Sequence, residues 1–235
     1  MRLDLYLTKH FNIQSRNKAS ELIKSKKVKI DGKIILKPSY TVEENSNIQL
    51  LEEDFYVSRA AYKLKYFLEE FNIDVKNKDS LDIGSSTGGF TQILLEKDVE
   101  KVTCVDVGSN QLHGRIKDDK RISFFENQDI RTFISEKKFD VVTCDVSFIS
   151  ILNIIEDIDR LSKNEIIILF KPQFEVGNNI KRDRKGVVKD KNSILKAREK
   201  FMDTCKLLQW KLLACAQSKL EGKDGNEEEL FYFSK

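Results

Sequence analysis

The chain has little proline, no paired cysteines and no long apolar run. Two prolines against 15 phenylalanines, at 40% apolar composition, exclude a globally disordered polypeptide. Cys104, Cys144, Cys205 and Cys215 lie far apart and none belongs to a Cys-x-x-Cys pair. That spacing excludes a zinc site and a disulfide frame, and reads as reduced core residues of a cytoplasmic protein. The longest apolar runs, Ile166 to Phe170 and Leu212 to Ala216, are five residues each. Crossing a bilayer takes ~20, so no membrane span is expected. Met1 to Leu7 has no long apolar stretch and carries an acid at Asp4, unlike a signal peptide. The two histidines, His10 and His113, share no cluster, so no metal is expected. At ~150 residues per domain, 235 residues make one to two units.

Charge is unevenly spread. Residues 1–40 hold ten Lys and Arg against three acids, a net +7 within an overall +3, so the remaining residues sum to −4. A second basic patch, Lys181 to Lys191, holds six Lys and Arg against two acids. A basic head on a mildly acidic body suits a polyanionic partner, although lysine-rich stretches also serve as solvated surface.

In the head, Leu3, Leu5, Leu7, Phe11 and Ile13 precede Ser15, a good helix cap, and Ala19, Leu22 and Ile23 recur at helical spacing. Val28 and Ile30 alternate around Lys29 up to the Asp31-Gly32 turn, Lys33 to Ile35 resume the strand, and Val42, Ile48 and Leu50 complete a small sheet. This run, from Arg2-Leu3-Asp4 through Ser15-Arg16 to Val28-Lys29-Ile30-Asp31-Gly32-Lys33, resembles the RNA-binding domain named after the fourth protein of the small ribosomal subunit. The resemblance implies RNA contact by Arg2, Arg16, Lys18 and Lys27. Lys26 departs from it, standing where the family has the glycine that closes the second helix; a left-handed Lys costs about 1 kcal/mol relative to Gly.

The acidic break Glu52-Glu53-Asp54 leads to a helix that Ser58 can cap, with Ala61, Leu64 and Leu68 on one face and Lys63 beside them. Next, Ser80 to Gly84 read as a buried strand, Ser85 to Gly89 as a glycine-rich turn, and Phe90 to Leu95 as the start of a helix. That geometry lays a nucleotide-like ligand across the carboxyl ends of parallel strands. Lys101 to Asp106 is a second strand, ending in an acid that can accept both ribose hydroxyls. A dinucleotide fold places Gly-x-Gly-x-x-Gly here, whereas this chain has Gly84-x-x-x-Gly88-Gly89 with Asp82 just before the turn. An acid repels a pyrophosphate and favours the positively charged methionine portion of S-adenosylmethionine, so charge prefers a methyl donor over NAD.

The pattern repeats. Ile122 to Phe125 lead to Asp129, a candidate for the adenine amino group; Phe139 to Asp145 end in an acid; Asn153 to Leu161 form much of a helix. Glu165 to Phe170, apolar as a doubly covered parallel strand should be, end at Lys171-Pro172. Ser193 to Leu208 make the last helix. Trp210 to Leu220 and Glu228 to Phe233 read as strands joined by a Glu221 to Asn226 turn, an antiparallel pair closing a parallel sheet.

Together the motifs resemble the TlyA family of ribosomal RNA 2′-O-methyltransferases, relatives of the FtsJ-type enzymes. The matching pieces are Tyr56-Val57-Ser58-Arg59 with Lys63-Leu64, Leu81-Asp82-Ile83-Gly84 through Phe90-Thr91, Val105-Asp106-Val107-Gly108 with Gln111-Leu112-His113, Cys144-Asp145-Val146-Ser147-Phe148, Leu169-Phe170-Lys171-Pro172-Gln173-Phe174-Glu175, Lys185-Gly186-Val187-Val188 and Gly225-Asn226-Glu227-Glu228. The expected fold is α/β: a Rossmann-like class I methyltransferase with a mostly parallel sheet closed by a C-terminal hairpin, plus a small α+β RNA-binding domain. The expected domains are 1–54, a linker and helix start at 55–60, and 61–235.

By this resemblance the catalytic set falls on Lys63, Asp145, Lys171 and Glu228. Glu227 and Glu229 leave the last member open by one residue, and strand alternation favours Glu228. The cofactor, S-adenosylmethionine, is expected against Asp82, Gly84, Ser86, Gly88, Gly89, Phe90, Asp106, Val107, Asp129 and Asp145. RNA is expected to meet the head residues together with Arg59, Lys181, Arg182, Arg184 and Lys185. The resemblance further implies a cytidine target in large-subunit ribosomal RNA, by analogy with the family's short form; a monomer is expected, although the sequence itself does not give the oligomeric state. The family's old haemolysin label finds no apolar reach here to breach a membrane.

Two alternatives remain open. A cytosine C5-methyltransferase needs a cysteine nucleophile, and Cys144 beside Asp145 faces the other way on a strand. An assembly factor that binds RNA without catalysis would have no need of Asp82, Asp106, Asp145 and Lys171.

Overall fold

A computed structural model describes residues 1–235 except 12, 14, 44, 52–55, 178 and 223, so the Glu52 to Asp54 break and Lys223 of the hairpin turn lie outside the described residues. The chain forms two compact units, Met1–Phe55 and Tyr56–Lys235.

In the first unit, α1 (Leu3–His10) and α2 (Arg16–Lys24) accompany a small sheet of β1 (Val28–Ile30), β2 (Lys33–Ile34) and β3 (Ile48–Leu50), in the order β2-β1-β3. Ser15 caps α2 as its position suggests, its hydroxyl accepting from Lys18 N at 3.2 Å. The helix ends on Lys26 at φ 64°, with Lys27 N donating to Leu22 O and Lys26 N to Ile23 O. That is a Schellman closure built on a left-handed lysine. Val42 is buried without joining a strand; neighbouring Thr41 makes only an isolated bridge to Arg2. The core is a single cluster from Leu3 and Leu7 through Ala19, Leu22 and Ile23 to Val28 and Ile30.

The second unit opens with α3 (Arg59–Glu70). Ser58 takes the cap position without a side-chain hydrogen bond, contrary to the expectation from sequence. Then come β4 (Asp79–Ile83), α4 (Gly89–Glu96), β5 (Lys101–Val105), β6 (Ile122–Phe125), β7 (Phe139–Cys144), a 3-10 turn (Ile151–Asn153) and α5 (Ile155–Leu161). They are followed by β8 (Ser162–Phe170), a short α6 (Pro172–Glu175), α7 (Lys191–Leu207), β9 (Lys211–Gln217) and β10 (Glu229–Ser234). The sheet order is β6-β5-β4-β7-β8-β10-β9, with β6, β5, β4, β7 and β8 parallel and the last two strands antiparallel.

Helices cover both faces of the sheet, which explains why the central strands carry continuous apolar runs. One core layer joins α3 and α4 to Val102, Cys104, Val141, Ile167 and Leu169; the other joins α5 and α7 to Leu81, Ile83, Val142, Ile166, Ile168 and Phe231. Chain order reverses between β4 and β7, and in open α/β sheets the crevice at such a reversal is where ligands bind.

Candidate active site

Gly84, Asp106 and Asp145 follow directly on β4, β5 and β7, and the ladder carries on just past the strand ends: Gly84 N donates to Val105 O and Asp145 N to Ile83 O. Gly84 takes φ 75°, and a Cβ there would stand 2.9 Å from Asp145 O, so only glycine lets the turn leave the sheet so close to the next strand. At Gly89 a Cβ would fall 2.1 Å from Ser58 Oγ and 3.0 Å from Ala61 N; its absence lets α4 approach the start of α3.

A cleft of about 320 Å³ opens beside the turn, lined by Gly84, Ser86, Val107, Gln111, Gln128, Asp129, Asp145 and Ser147 over an apolar floor of Ile83, Val105, Ile130, Val146 and Ile154. Asp106 is the fixed acid of this cleft. Its Oδ2 accepts from Ser86 N and its Oδ1 from Gly108 N, each at 2.7 Å, leaving one lone pair per oxygen for a vicinal diol. Asp129 is clamped by Arg131, whose side chain donates to both oxygens and holds the carboxyl below its ordinary range. An apolar slot with a diol-accepting acid, and a second acid at Asp145, fits a nucleoside joined to a cationic group.

Three sequence expectations change. Asp82 lines no part of the cleft: it is fully buried, its Oδ2 accepting from Thr91 Oγ1 at 2.6 Å and its Oδ1 from Thr143 Oγ1 at 2.8 Å. Burial raises its pKa to about 6, against the pull of those hydroxyls. Asp82 therefore braces the turn from beneath, whereas Asp145, at the end of the neighbouring strand, lines the cleft. Gly88 faces Leu112 and Ile116, and a Cβ there would lie 2.3 Å from Ile116 Cδ1. Phe90, 2% exposed, packs under the turn and only edges a smaller hollow that also includes Gly89.

Across the Asp145 wall lies a larger cleft of about 560 Å³, lined by Arg59, Lys63, Asp145, Ser147, Phe148, Lys171, Gln173, Arg182, Lys185, Asn226 and Glu228. Two ion pairs stand in it. Lys171 Nζ lies 2.6 Å from Asp145 Oδ1 and donates to Ser147 Oγ at 2.9 Å. Lys63 Nζ pairs with Glu228 Oε2, both side chains buried, and Gln173 Nε2 reaches Glu228 Oε1 at 3.4 Å. Burial pushes the Asp145 carboxyl up, while Lys171 and then Lys63 draw it back.

Four elements supply these groups: α3, the ends of β7 and β8, and the residue before β10. Because β10 runs antiparallel to β8, with Glu229 opposite Phe170, the start of β10 comes to the carboxyl edge. Glu229 turns away to Arg198 and Glu227 is exposed, while Glu228 is buried and lines the larger cleft, as strand alternation would direct it. Asp145 and Ser147 line both clefts and the hollow at the glycine turn, and Lys171 lines two of the three. Ser147, Gln173, Gln111 and Arg131 had no role expected from the sequence; the first three stand inside motifs of the family resemblance, and Arg131 shows no signal beyond proximity to a strand end.

Arg59, Arg182 and Lys185 reach the larger cleft, while Lys181 and Arg184 are exposed and line no part of it. In the head unit Arg2 and Arg16 both pair with Asp4, and Lys18 pairs with Glu21 at 3.4 Å. Cys144 is fully buried, lines none of the hollows, and burial pushes its thiol up to about 12, which removes the C5-methyltransferase alternative. Among the described residues no cluster of His, Cys, Asp and Glu could hold a metal ion, and no helix is long and apolar enough to cross a membrane.

Residues 56–235 match the FtsJ-like methyltransferases and residues 1–48 the S4 domain. The chain is similar over its whole length to the Campylobacter jejuni 23S rRNA (cytidine-2′-O)-methyltransferase TlyA, 49% identical with 100% of both chains covered. It is 34% identical to the Mycobacterium tuberculosis 16S/23S rRNA (cytidine-2′-O)-methyltransferase TlyA, covering 97% of this chain and 87% of that one. A solved Streptococcus thermophilus structure described as a hemolysin superposes with a TM-score of 0.74 at 28% identity, covering 100% of this chain and 88% of the other.

Proposed function

The chain belongs to the FtsJ-like methyltransferases, in the TlyA group that carries an S4 domain, and from that premise we propose that it methylates the 2′-oxygen of a cytidine ribose in ribosomal RNA. S-adenosylmethionine would lie in the Asp106 cleft and supply an electrophilic methyl group. The observation that carries the reading is the pairing of Lys171–Asp145 and Lys63–Glu228 in a cleft that shares its Asp145 wall with the cofactor slot.

A 2′-hydroxyl is a poor nucleophile, so the site must favour its developing oxyanion. Lys171 is placed to hold that oxygen and assist loss of its proton. Asp145 and Ser147 fix the ammonium at the shared wall, and Lys63 with Glu228 orients the ribose and its phosphate, so much of the barrier reduction is alignment. Arg59, Arg182 and Lys185, with the basic head, would meet phosphates. A target nucleotide in folded RNA must be extruded to reach the cleft, at a cost of a few kcal/mol that head binding offsets. The same reading carries a monomer working in the cytoplasm on large-subunit RNA.

The test is a map of ribose methylation on ribosomal RNA from cells with the gene, without it, and with Lys171→Ala. One cytidine 2′-O-methyl should vanish in the last two strains. In vitro, Lys171→Ala should cut turnover at least ~10³-fold while calorimetric cofactor affinity stays within about twofold. Methylation at the normal rate would sink the assignment.

A further inference from the structure

A unit expected to bind a polyanion, with a net +7 over its first 40 residues, buries a carboxylate against two of its arginines. Asp4 is only 2% exposed. Its Oδ1 accepts from Arg2 Nε at 3.1 Å and from Leu5 N at 2.8 Å, and its Oδ2 from Arg2 Nη2 and Arg16 Nη2, both at 2.9 Å. Arg2 stands just before α1 and Arg16 is the first residue of α2, so one buried carboxylate gathers guanidiniums from two segments. Both arginine side chains remain about half exposed, at 51% and 55%. The trio keeps a net charge of +1. Arg2 gives two of its five N–H groups to Asp4 and Arg16 gives one, which leaves three and four donors. The guanidiniums hold the carboxyl well below its ordinary range, so it stays anionic wherever the protein is folded.

We propose that Asp4 is a positioning residue for RNA: it fixes the Arg2 and Arg16 guanidiniums side by side as a preassembled clamp for backbone phosphates of folded RNA. The proposal rests on the reading of the head as an RNA-contacting unit. A free arginine loses rotamer freedom when it meets a phosphate; one already tethered has lost it on folding, so less affinity is forfeited on binding. Planar forks with defined directions also select the spacing of phosphates, which a mobile lysine cannot do.

Simple charge counting makes the opposite prediction, and that separates the two. Removing a negative charge from the face that meets RNA should tighten binding if Asp4 acts only through its charge, and weaken it if Asp4 holds the clamp. The measurement is fluorescence anisotropy of the full-length protein on an unmethylated large-subunit ribosomal RNA transcript at fixed salt. Asp4→Asn is expected to weaken binding at least about fivefold, and to add nothing once Arg2→Gln and Arg16→Gln are present. Arg16→Lys, which keeps the charge and loses the fork, is expected to weaken binding by a similar factor; it also serves if Asp4→Asn fails to fold. Binding by Asp4→Asn as tight as wild type or tighter, or unchanged binding by Arg16→Lys, overturns the clamp. Wild-type protein that does not bind the transcript would instead overturn the RNA-contact reading itself, and the clamp with it.

Discussion

Asp82 is the residue whose environment departs most from its place in the sequence. Its two partners, Thr91 from α4 and Thr143 from β7, tie three elements together under the glycine turn. With its pKa raised from 3.8 to about 6, the folded protein holds a proton between those values that the unfolded chain has released. Stability from this group is therefore intact below about pH 4 and is lost as pH rises to about 6, by on the order of 3 kcal/mol. Asp82→Asn cannot ionise. Denaturant titrations of wild type and variant should diverge in slope across pH 4 to 6 and run parallel above it; parallel curves throughout would show that Asp82 titrates in the fold as it does in the unfolded chain. Lys63 and Glu228 are a different case, since removing one member of a buried pair strands the other charge, typically at a cost of 3–5 kcal/mol. Variants at these two positions thus mix stability with chemistry, and Lys171→Ala, which takes away the partner of Asp145, calls for the same denaturation control.

Elements were legible wherever local chemistry was unambiguous. Ser15, the Asp31-Gly32 turn and the run Ile166 to Phe170 each specify their structure within a few residues, and the strands around them stand where periodicity puts them. Lys171 could be found because a charge closes an apolar run and Pro172 follows. Asp82 shows the limit: alternation on β4 turns it away from Leu81 and Ile83, toward the layer under α4, but the sequence does not reveal that Thr91 and Thr143 would satisfy it there. Glu228 needed the family resemblance, because its location depends on β10 reversing direction, a long-range fact. Lys26 gives a prediction at this scale. It holds a left-handed position that glycine occupies without strain, so Lys26→Gly should stabilise the head by about 1 kcal/mol. Hydrogen exchange of the α2 amides in the full chain checks it, with slower exchange expected.

At the level of the whole molecule, charge divides the labour. A net +7 in the first 40 residues and the Arg59, Arg182 and Lys185 side chains at the larger cleft suit phosphates, while the cofactor slot is apolar with fixed acids. The two binding events should respond differently to salt. Raising KCl from about 50 to 200 mM should weaken RNA binding about 50- to 150-fold if about four phosphates are neutralised, and change cofactor affinity less than about twofold. Equal sensitivity of both would contradict this division.

The reversed direction of β10 has a temporal consequence. Asp145 and Lys171 emerge during synthesis well before Glu228, and β10 must slot between β8 and β9 before Glu228 can meet Lys63. The Lys63–Glu228 pair of the larger cleft is therefore the last of its two ion pairs to close, formed only once β10 has joined the sheet.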